Sequence, residues 1–364
     1  MKKIKIGIVA RDLSKVGGGT KSYTLNVLKE LDSLLYKNEK FEVHILLNEI
    51  SYLDKNCFKN IRAHFVKERN ILKFDLIETT SWVIRSRFDL VFSFKHFLLP
   101  FSTLRLCKTQ GIMIYDVGYL DDNNHYGIID SIKTKLIFNF VKKSSDFFIT
   151  ISNFSKKQIV EKLKIQGKKI LVAEPGVNNY IGIEKKDRFG EKYFLVIDNA
   201  KRKNTKKIIE SFVNISDQIS ESLYVVGKNS HTTVSLFKKS KKIKSLGFVK
   251  GEVLINLYRN ATALIFFSSY EGFGIPILEA QSNSCPVICS NIDVFLEVAK
   301  NSVIYVNKNS PHDLEKSMLE LSDNKKLRKR LINEGLLNCK NFSWKRSSKK
   351  ILNFIEAFNK NDKS

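Results

Sequence analysis

Apolar and polar positions follow two patterns along the chain. Short apolar runs rich in β-branched and aromatic residues predict buried strands, and longer stretches with an apolar position every three or four residues predict helices. In the first half the predicted strands are Ile4–Ala10, Phe41–Leu47, Phe88–Ser93, Gly111–Tyr115 and Asp146–Ile151. Helices are predicted from about Lys21 to Leu35 and from Ile128 to Lys142.

The series restarts after the linker-like segment Glu174-Pro-Gly-Val. The later predicted strands are Tyr193–Ile197, Ser222–Val226, Ala263–Phe267 and Cys285–Cys289. Predicted helices are Asn204–Ile215, a segment ending near Arg259, and closing helices that begin with Leu314–Leu321. Strands that alternate with helices form parallel sheets, so we expect two doubly wound α/β domains, with a ligand cleft between them at the carboxyl ends of the strands.

Composition narrows the classes of function. The 364 residues are 43% hydrophobic, which is enough for two domain cores. The net charge of +25 is spread evenly along the chain, and no nucleic-acid-binding motif accompanies it, so we expect no specific nucleic-acid binding. A solvated basic surface of this kind favours anionic phospholipid headgroups instead.

Cysteine usage and apolar run lengths predict the compartment. The five cysteines lack Cys-x-x-Cys spacing and indicate reduced structural thiols. The N-terminal MKKIKIGIVA is interrupted by Lys5 and reads as a strand rather than a signal peptide. No apolar run approaches the roughly 18 residues needed to span a bilayer. We therefore expect a cytoplasmic protein, peripheral on the inner face of the plasma membrane.

The segment from Tyr270 to Ala280 carries the strongest indication of function. It reads Tyr-Glu-Gly-Phe-Gly-Ile-Pro-Ile-Leu-Glu-Ala. Pro276 suits the first position of a helix, where its missing N–H removes no hydrogen bond. The pattern predicts a loop that enters a helix, with the free amides of Ile277 and Leu278 available to an anion.

Two carboxylates flank that predicted anion site. Glu271 lies on the loop and Glu279 about one helical turn further on, while Gly272 and Gly274 let the backbone approach a ligand closely. Acidic residues near a helix start also occur simply because they complement the helix dipole. A phosphate site surrounded by carboxylates nevertheless favours a ligand with both a diphosphate and hydroxyl groups, such as a nucleotide-sugar.

The complete run, with Gly-Phe-Gly and the proline in register, resembles the signature of the retaining glycosyltransferases of family 4, the glycosyl transferases group 1, which have the GT-B fold. The resemblance implies that Glu279 holds the ribose hydroxyls of the donor and that Glu271 contacts the sugar. It further implies that Gly272, Phe273 and Gly274 help to fix the sugar and its phosphate.

A basic segment follows the first strand of the second half. Arg202-Lys203-Asn204 resembles the Arg-Lys-Asn segment of that family, which implies that Lys203, together with Arg202, binds the donor diphosphate. A cation there would stabilise the negative charge that develops on the departing diphosphate. The chain departs from the family just upstream, where Asp198 and Asn199 stand in place of a usual glycine.

Gly17-Gly18-Gly19 follows the first strand but fails the dinucleotide fingerprint, because glycine would be needed at Ser22. Gly18 and Gly19, with Tyr23, resemble the Gly-Gly-x-x-x-Tyr loop of the family, which reaches the donor diphosphate and the acceptor. A plain turn is the alternative.

Two further segments resemble the family. Tyr115-Asp116 stands where the family has a His-Asp pair beside the donor sugar, and both residues are candidate catalytic residues. Tyrosine, with a pKa near 10, does not replace histidine as a proton carrier at neutral pH. A retaining front-face mechanism lets the leaving phosphate accept the acceptor's proton. Phe248 and Val249 resemble the segment that seats the nucleobase, or are strand-end hydrophobic residues.

The resemblance covers most of the chain and implies domain boundaries. Residues 1–177 would form the acceptor-side domain and residues 178–342 the nucleotide-sugar domain. Phe342-Ser343-Trp344 resembles the C-terminal end of the family, which implies that a helix at about 343–360 packs back on the first domain.

We therefore predict a metal-independent, retaining hexosyltransferase without a cofactor. It would move a sugar from a UDP- or GDP-sugar to a glycan or lipid-linked acceptor in bacterial cell-surface polysaccharide or lipopolysaccharide synthesis. A nucleotide-sugar epimerase or phosphorylase on the same scaffold, and a degenerate nucleotide-sugar-binding protein, remain as alternatives. A glycosidase is disfavoured, because the two glutamates lie in a phosphate-binding loop.

Overall fold

The structure is a computed structural model. It describes residues 3–14, 18–48, 57–68, 70, 73–95, 107–120, 128–178, 190–198, 200–227, 235–249 and 251–361. Gly17 and Asn199, named above, lie outside these ranges. The chain folds into two compact units, a first unit of Met1–Gly176 with Ser343–Ser364 and a second unit of Val177–Phe342.

The first unit contains a seven-stranded parallel sheet. Its strands are β1 (Ile4–Val9), β2 (Phe41–Asn48), β3 (Arg62–Val66), β4 (Leu90–Ser93), β5 (Thr109–Met113), β6 (Phe147–Thr150) and β7 (Ile170–Val172). They lie in the order β3-β2-β1-β4-β5-β6-β7. The chain thus begins at the centre, runs to one edge, and resumes on the other side of β1, which is a doubly wound topology.

Helices cover both faces of this sheet. They are α1 (Gly19–Leu34), α2 (Thr79–Ser86, after a π-helical turn Phe74–Glu78), α3 (Ile128–Ser144) and α4 (Asn153–Leu163). The π-turn and α2 pack on Val9 and Val91. α3 packs on Ile112 and Phe148. The strand register places these four strand residues on one face, so α2 and α3 belong to the same helical layer.

The last helix, α11 (Trp344–Asn361), belongs to the first unit although the second unit precedes it in sequence. Ser348 donates a hydrogen bond to the Val27 carbonyl in α1 at 3.2 Å. The start of α11 also lies against Gly176, the last residue of the amino-terminal part of the first unit. A Cβ on Gly176 would lie 2.1 Å from the Trp344 nitrogen. Only glycine fits that crossing.

The second unit repeats the topology with six strands. They are β8 (Tyr193–Asp198), β9 (Ser222–Gly227), β10 (Ile243–Gly247), β11 (Ala263–Phe266), β12 (Val287–Ser290) and β13 (Ile304–Val306). Their order is β10-β9-β8-β11-β12-β13, and all pairings are parallel. The helices are α5 (Thr205–Ile215), α6 (Gly251–Asn260), α7 (Ile275–Ser282), α8 (Asp293–Ala299), α9 (Pro311–Asp323) and α10 (Lys325–Cys339).

Two doubly wound parallel α/β units are present, as the apolar pattern predicted, and the predicted fold class is confirmed. The sequence pattern missed β3, β7, β10 and β13, which lie at the edges of the two sheets. Among the described residues, no helix is long and apolar enough to cross a bilayer.

Candidate functional site

The candidate site lies where the strand order of the second sheet reverses. β8 and β11 are neighbours, although β9 and β10 separate them in sequence. The loop after β8 carries Arg202 and Lys203 in a short 3₁₀ turn, and the loop after β11 carries Ser268 and Glu271. Ligands of open α/β sheets bind at such a reversal, at the carboxyl ends of the strands.

A buried ion pair joins these two loops. The Lys203 ammonium donates to Glu271 Oε1 at 2.5 Å, and the two side chains are only 5% and 10% exposed. Arg202 Nε lies 3.5 Å from the same oxygen. The sequence named these three residues from two segments 68 positions apart, and the structure brings them together.

The charges of the pair depend on each other. Burial alone would raise the pKa of the Glu271 carboxyl, but the nearby Lys203 and Arg202 outweigh it, and the pKa lies below its usual value. Burial lowers the pKa of the Lys203 ammonium, which the Glu271 carboxylate opposes and Arg202 reinforces. Glu271 is thus held as a carboxylate by the two cations, and its charge opposes the loss of the Lys203 proton that burial favours.

Three contacts that sequence reasoning missed hold this pair in place. The Ser268 hydroxyl donates to Glu271 Oε1 at 3.0 Å. The Lys203 ammonium also lies 3.9 Å from the centre of the Phe266 ring, a cation–π contact. Ser269 donates its backbone amide to the Arg202 carbonyl at 2.8 Å and so ties the two loops together. The signal for them was a pair of serines directly after a buried strand.

The backbone after β8 is fixed by its own side chains. Asn204 adopts a left-handed conformation before α5 and donates its amide to the Phe267 carbonyl at 3.0 Å. Asp198 is buried and accepts a hydrogen bond from Thr205 at 2.8 Å. The residue that departs from the family pattern therefore anchors the start of α5.

The predicted helix start is present, with a shift of one residue. α7 begins at Ile275, so Pro276 is its second residue rather than its first. Gly274 caps the helix at a positive φ of 107°, and a Cβ there would lie 2.8 Å from the Phe295 ring. Glycine is required at this position by both its conformation and its surroundings.

The prediction of a free amide at Ile277 is wrong. This amide donates to the Gly274 carbonyl at 2.9 Å, because the chain tightens into an i→i−3 turn as the helix begins. The side chains of Ile277 and Leu278 are buried in the core. Phe273 is 2% exposed and packs edge-on against Phe342. Its ring therefore serves the core, and Gly272 beside it is also buried.

Glu279 lies within α7 and is partly buried. Tyr258 of α6 donates to its Oε2 at 3.2 Å, another contact missed in the sequence. Burial raises the pKa of the Glu279 carboxyl, against the opposing effects of the Tyr258 hydrogen bond and the Lys203 charge. The two glutamates thus differ: Glu271 is paired with a cation, and Glu279 is a carboxyl that favours its proton more than usual.

Phe248 and Val249 directly follow the edge strand β10. Phe248 is 67% exposed and Val249 is half-buried. Neither residue is part of the hydrophobic core. The exposed Phe248 ring, at the carboxyl end of a strand, is therefore available to stack on a ligand.

The remaining candidates lie in the first unit. Gly18 caps α1 with a φ of 101°, and Gly19 is the first residue of the helix. Tyr23 is buried and donates its hydroxyl to the Ala173 carbonyl at 2.9 Å. The Tyr23 hydroxyl is therefore hydrogen-bonded within the first unit, whereas Gly18 is exposed to solvent.

Tyr115 and Asp116 follow β5. The Tyr115 ring is 8% exposed and packs edge-on against Tyr23, and its hydroxyl lies 3.3 Å from the Thr24 hydroxyl. Asp116 accepts the Gly118 amide at 2.9 Å and so shapes its own turn. These contacts are structural, and the catalytic roles predicted for the two residues remain predictions.

No group of three or more His, Cys, Asp or Glu side chains that could hold a metal ion occurs within the ranges described above. The five cysteines are free thiols, and burial raises the pKa of Cys285 to about 12.

Comparison with known families gives one match within the second half of the chain. Residues 183–337 match the family model described as glycosyl transferases group 1. This span contains the Arg202–Lys203 segment, Glu271 and Glu279.

Individual proteins extend the similarity. The chain is 32% identical over 216 residues to O-antigen chain mannosyltransferase RfbU of Salmonella typhimurium, covering 56% of this chain and 58% of that protein. It is 26% identical to the uncharacterized glycosyltransferase MJ1178 of Methanocaldococcus jannaschii, over 89% of this chain and 92% of that one. The chain thus spans little more than half of the Salmonella protein.

Solved structures resemble the whole chain in fold. HepE of Anabaena, crystallised with UDP and glucose, superimposes with a TM-score of 0.74 over 97% of this chain and all of that one, at 13% identity. WaaG, a glycosyltransferase involved in lipopolysaccharide biosynthesis, gives a TM-score of 0.70 over 95% of this chain and 98% of that one, at 14% identity. The fold of the chain is therefore that of these two-domain proteins.

Proposed function

We propose that the chain, which matches the glycosyl transferases group 1 model over residues 183–337 and has the GT-B fold, transfers a hexose from a nucleotide-sugar to a glycan or lipid-linked acceptor with retention of configuration. The observation that carries the proposal is the buried cluster of Lys203, Arg202 and Glu271 at the strand-order reversal.

The cluster supplies what breaking a glycosyl–phosphate bond requires. As that bond breaks, negative charge accumulates on the leaving diphosphate, and fixed cations in a dry site stabilise it most effectively. Lys203 is buried and its ammonium is fixed in place, because Glu271 and the Phe266 ring hold it. Arg202, 28% exposed, provides a second cation with planar geometry suited to phosphate oxygens.

The two glutamates receive different tasks. Glu271 orients Lys203 and contacts the donor sugar, whereas Glu279 accepts hydrogen bonds from the ribose hydroxyls. Hydroxyl binding to Glu279 would replace the water that burial removes from its carboxylate. Phe248 stacks on the base of a UDP- or GDP-sugar.

The proposal includes retention of configuration and metal independence, which the resemblance to family 4 implies. In a front-face reaction the leaving phosphate takes the acceptor's proton, so the protein supplies no strong base, and a buried Tyr115 is tolerated. Two protein cations take the charge-neutralising role that a divalent ion fills elsewhere. The test is the configuration of the product by NMR, together with turnover that survives EDTA.

The acceptor side is proposed from the relatives. Two are named O-antigen chain mannosyltransferases and another a serotype-specific mannosyltransferase, which favours mannose as the first sugar to test and a surface polysaccharide as the product. The corresponding location is the cytoplasmic face of the plasma membrane.

A donor screen followed by two variants tests the function. UDP-glucose, GDP-mannose and ADP-glucose are compared by thermal shift, since a bound donor raises the melting temperature. Transfer to octyl glucoside is then measured. We expect Glu279→Ala to weaken donor binding about ten-fold or more, for the loss of a charged hydrogen bond. Lys203→Ala should mainly lower kcat, by about 100-fold or more.

Lys206→Ala is the matched control, because Lys206 is an exposed lysine just beyond the site. Unchanged kinetics in both site variants would refute the assigned roles. Donor binding without any turnover would favour the degenerate binding protein, and conversion of the donor without an acceptor would favour the epimerase.

A further inference from the structure

Helix α3 of the first unit has two apolar sides. Thr134, Phe138 and Val141 face the core and are buried. Ile132, Leu136 and Phe140 are 54%, 56% and 49% exposed. Because these three recur every four residues, they form one stripe along the helix, about 12 Å long at 1.5 Å per residue. Among the described residues of the unit, packing leaves this stripe exposed.

The charge around the stripe is predominantly positive. Lys135 and Lys143 are exposed, and Lys142 is half-buried. Helix α3 contains four lysines and one acidic residue, Asp130, which lies in its first turn. The apolar stripe is therefore flanked by cations.

The same helical layer exposes a second apolar group. Leu76 and Ile77 of the π-helical turn and Ile84 of α2 are 41%, 56% and 56% exposed, beside the exposed Arg85. With the α3 stripe they make six of the eleven large hydrophobic side chains exposed in the described ranges. Exposed apolar residues are thus concentrated on one layer, whereas scattered ones would need no explanation.

We propose that this layer, centred on the α3 stripe, is a docking surface for an anionic phospholipid bilayer. A helix lying in the membrane interface inserts apolar side chains about 5–10 Å deep, while lysines on either side reach the headgroups. Leucine, isoleucine and phenylalanine are the apolar residues such a helix uses. The lysines select headgroups of negative charge.

A second copy of the chain is a poorer occupant. In a symmetric dimer the same face meets itself, so the flanking lysines would oppose each other. The three side chains of the stripe also fall well short of the roughly 800 Å² per partner that a stable interface buries. A bilayer has neither limitation, since its charge is opposite and its surface is continuous.

The inference rests on the surface alone and not on the proposed reaction, so its test needs no donor or acceptor. The full chain is sedimented with vesicles of phosphatidylglycerol and phosphatidylcholine, and with vesicles of phosphatidylcholine alone. We expect binding to the first kind that weakens with salt.

Two pairs of variants separate the apolar and the charge contributions. Leu136→Gln with Phe140→Gln should weaken binding about ten-fold or more. Its control is Leu336→Gln with Leu337→Gln, since these α10 leucines of the second unit are 39% and 60% exposed.

Lys135→Gln with Lys143→Gln should weaken binding about 25-fold, from about five-fold per lysine. Lys325→Gln with Lys326→Gln, at exposed positions of α10, has the same net charge and should bind as the parent does. Thermal melts confirm that every variant is folded.

Three outcomes would overturn the inference. They are absence of sedimentation with phosphatidylglycerol vesicles, equal losses in the α3 variants and their α10 controls, and a dimer in the absence of vesicles that Leu136→Gln with Phe140→Gln abolishes. The last would identify the occupant as a second copy.

Discussion

Replacing Lys203 by methionine separates the structural part of the buried ion pair from its chemistry. Methionine keeps most of the volume of the side chain and can still contact the Phe266 ring. Glu271 would remain as a carboxylate that is 10% exposed, with Arg202 Nε at 3.5 Å and the Ser268 hydroxyl as its partners. We expect the free energy of unfolding to fall.

The structure sets the size of this loss. Removing one member of a buried pair costs about 3–5 kcal/mol. Because Arg202 and Ser268 partly compensate, we expect the lower end, about 3 kcal/mol. With a urea m-value of about 1–3 kcal/mol per molar, the midpoint would fall by about 1–3 M.

A double-mutant cycle provides the assay. Lys203→Met, Glu271→Gln and the double variant are unfolded in urea and followed by far-UV circular dichroism. The double variant should be more stable than the sum of the single losses implies, by about 2 kcal/mol, since neither charge is left alone. Tryptophan fluorescence serves as the internal control, because Trp82 and Trp344 both belong to the first unit.

The pH dependence gives a second check. The folded-state pKa of Glu271 is depressed, so its stabilising contribution is present above the unfolded pKa of about 4.3 and is lost as pH falls through the folded value. The coupling should therefore shrink in strong acid. Losses that add within about 0.5 kcal/mol at neutral pH would refute the reasoning.

Three other predictions concern stability. Burial raises the pKa of Glu279, so the contribution of its carboxyl to stability is lost as pH rises through the folded-state pKa. Glu279→Gln should therefore melt at a higher temperature than the parent near pH 7. Below about pH 4 the two melting temperatures should not differ. Burial lowers the pKa of His44 and His64, whose ring nitrogens lie 2.9 Å apart, so the free energy of unfolding should fall as pH drops below about 6.5. His64→Gln should make this fall less steep in urea midpoints read by tryptophan fluorescence. An unchanged slope would contradict the prediction. Gly176→Ala would place a Cβ 2.1 Å from the Trp344 nitrogen and should cost about 2 kcal/mol by the same assay, whereas Gly167→Ala in the same unit, where the nearest atom would lie 3.7 Å from the Cβ, should not.

The strands show best how much of the fold could be predicted from the sequence. Every interior strand of both sheets was predicted, because burial on both faces demands a continuous apolar run. The missed strands are the four edges: β3 opens on the exposed Arg62, β7 and β13 have three residues each, and β10 includes the exposed Lys244 and Ser245. An edge strand is identified by its neighbour rather than by its own pattern.

In the candidate site, too, the sequence predicted individual segments but not the contacts between them. Lys203 and Glu271 could be named because each lies in a recognisable segment, but their 2.5 Å contact depends on β8 and β11 being neighbours. Ser268 carried a signal only as one of two consecutive serines after a buried strand, and Tyr258 carried none. The Ile277 amide was misjudged because the sequence does not show that the first turn of α7 tightens to i→i−3 hydrogen bonding.

Helix α11 implies an order of events on the ribosome. The first unit is interrupted in sequence, because α11 and its contacts with Val27 and Tyr23 are encoded after the second unit. The nascent amino-terminal half must therefore wait with that surface uncovered, while the second unit, whose residues are contiguous, has all of its sequence sooner. A premature stop codon before or within α11 would consequently damage the part of the protein that was translated first.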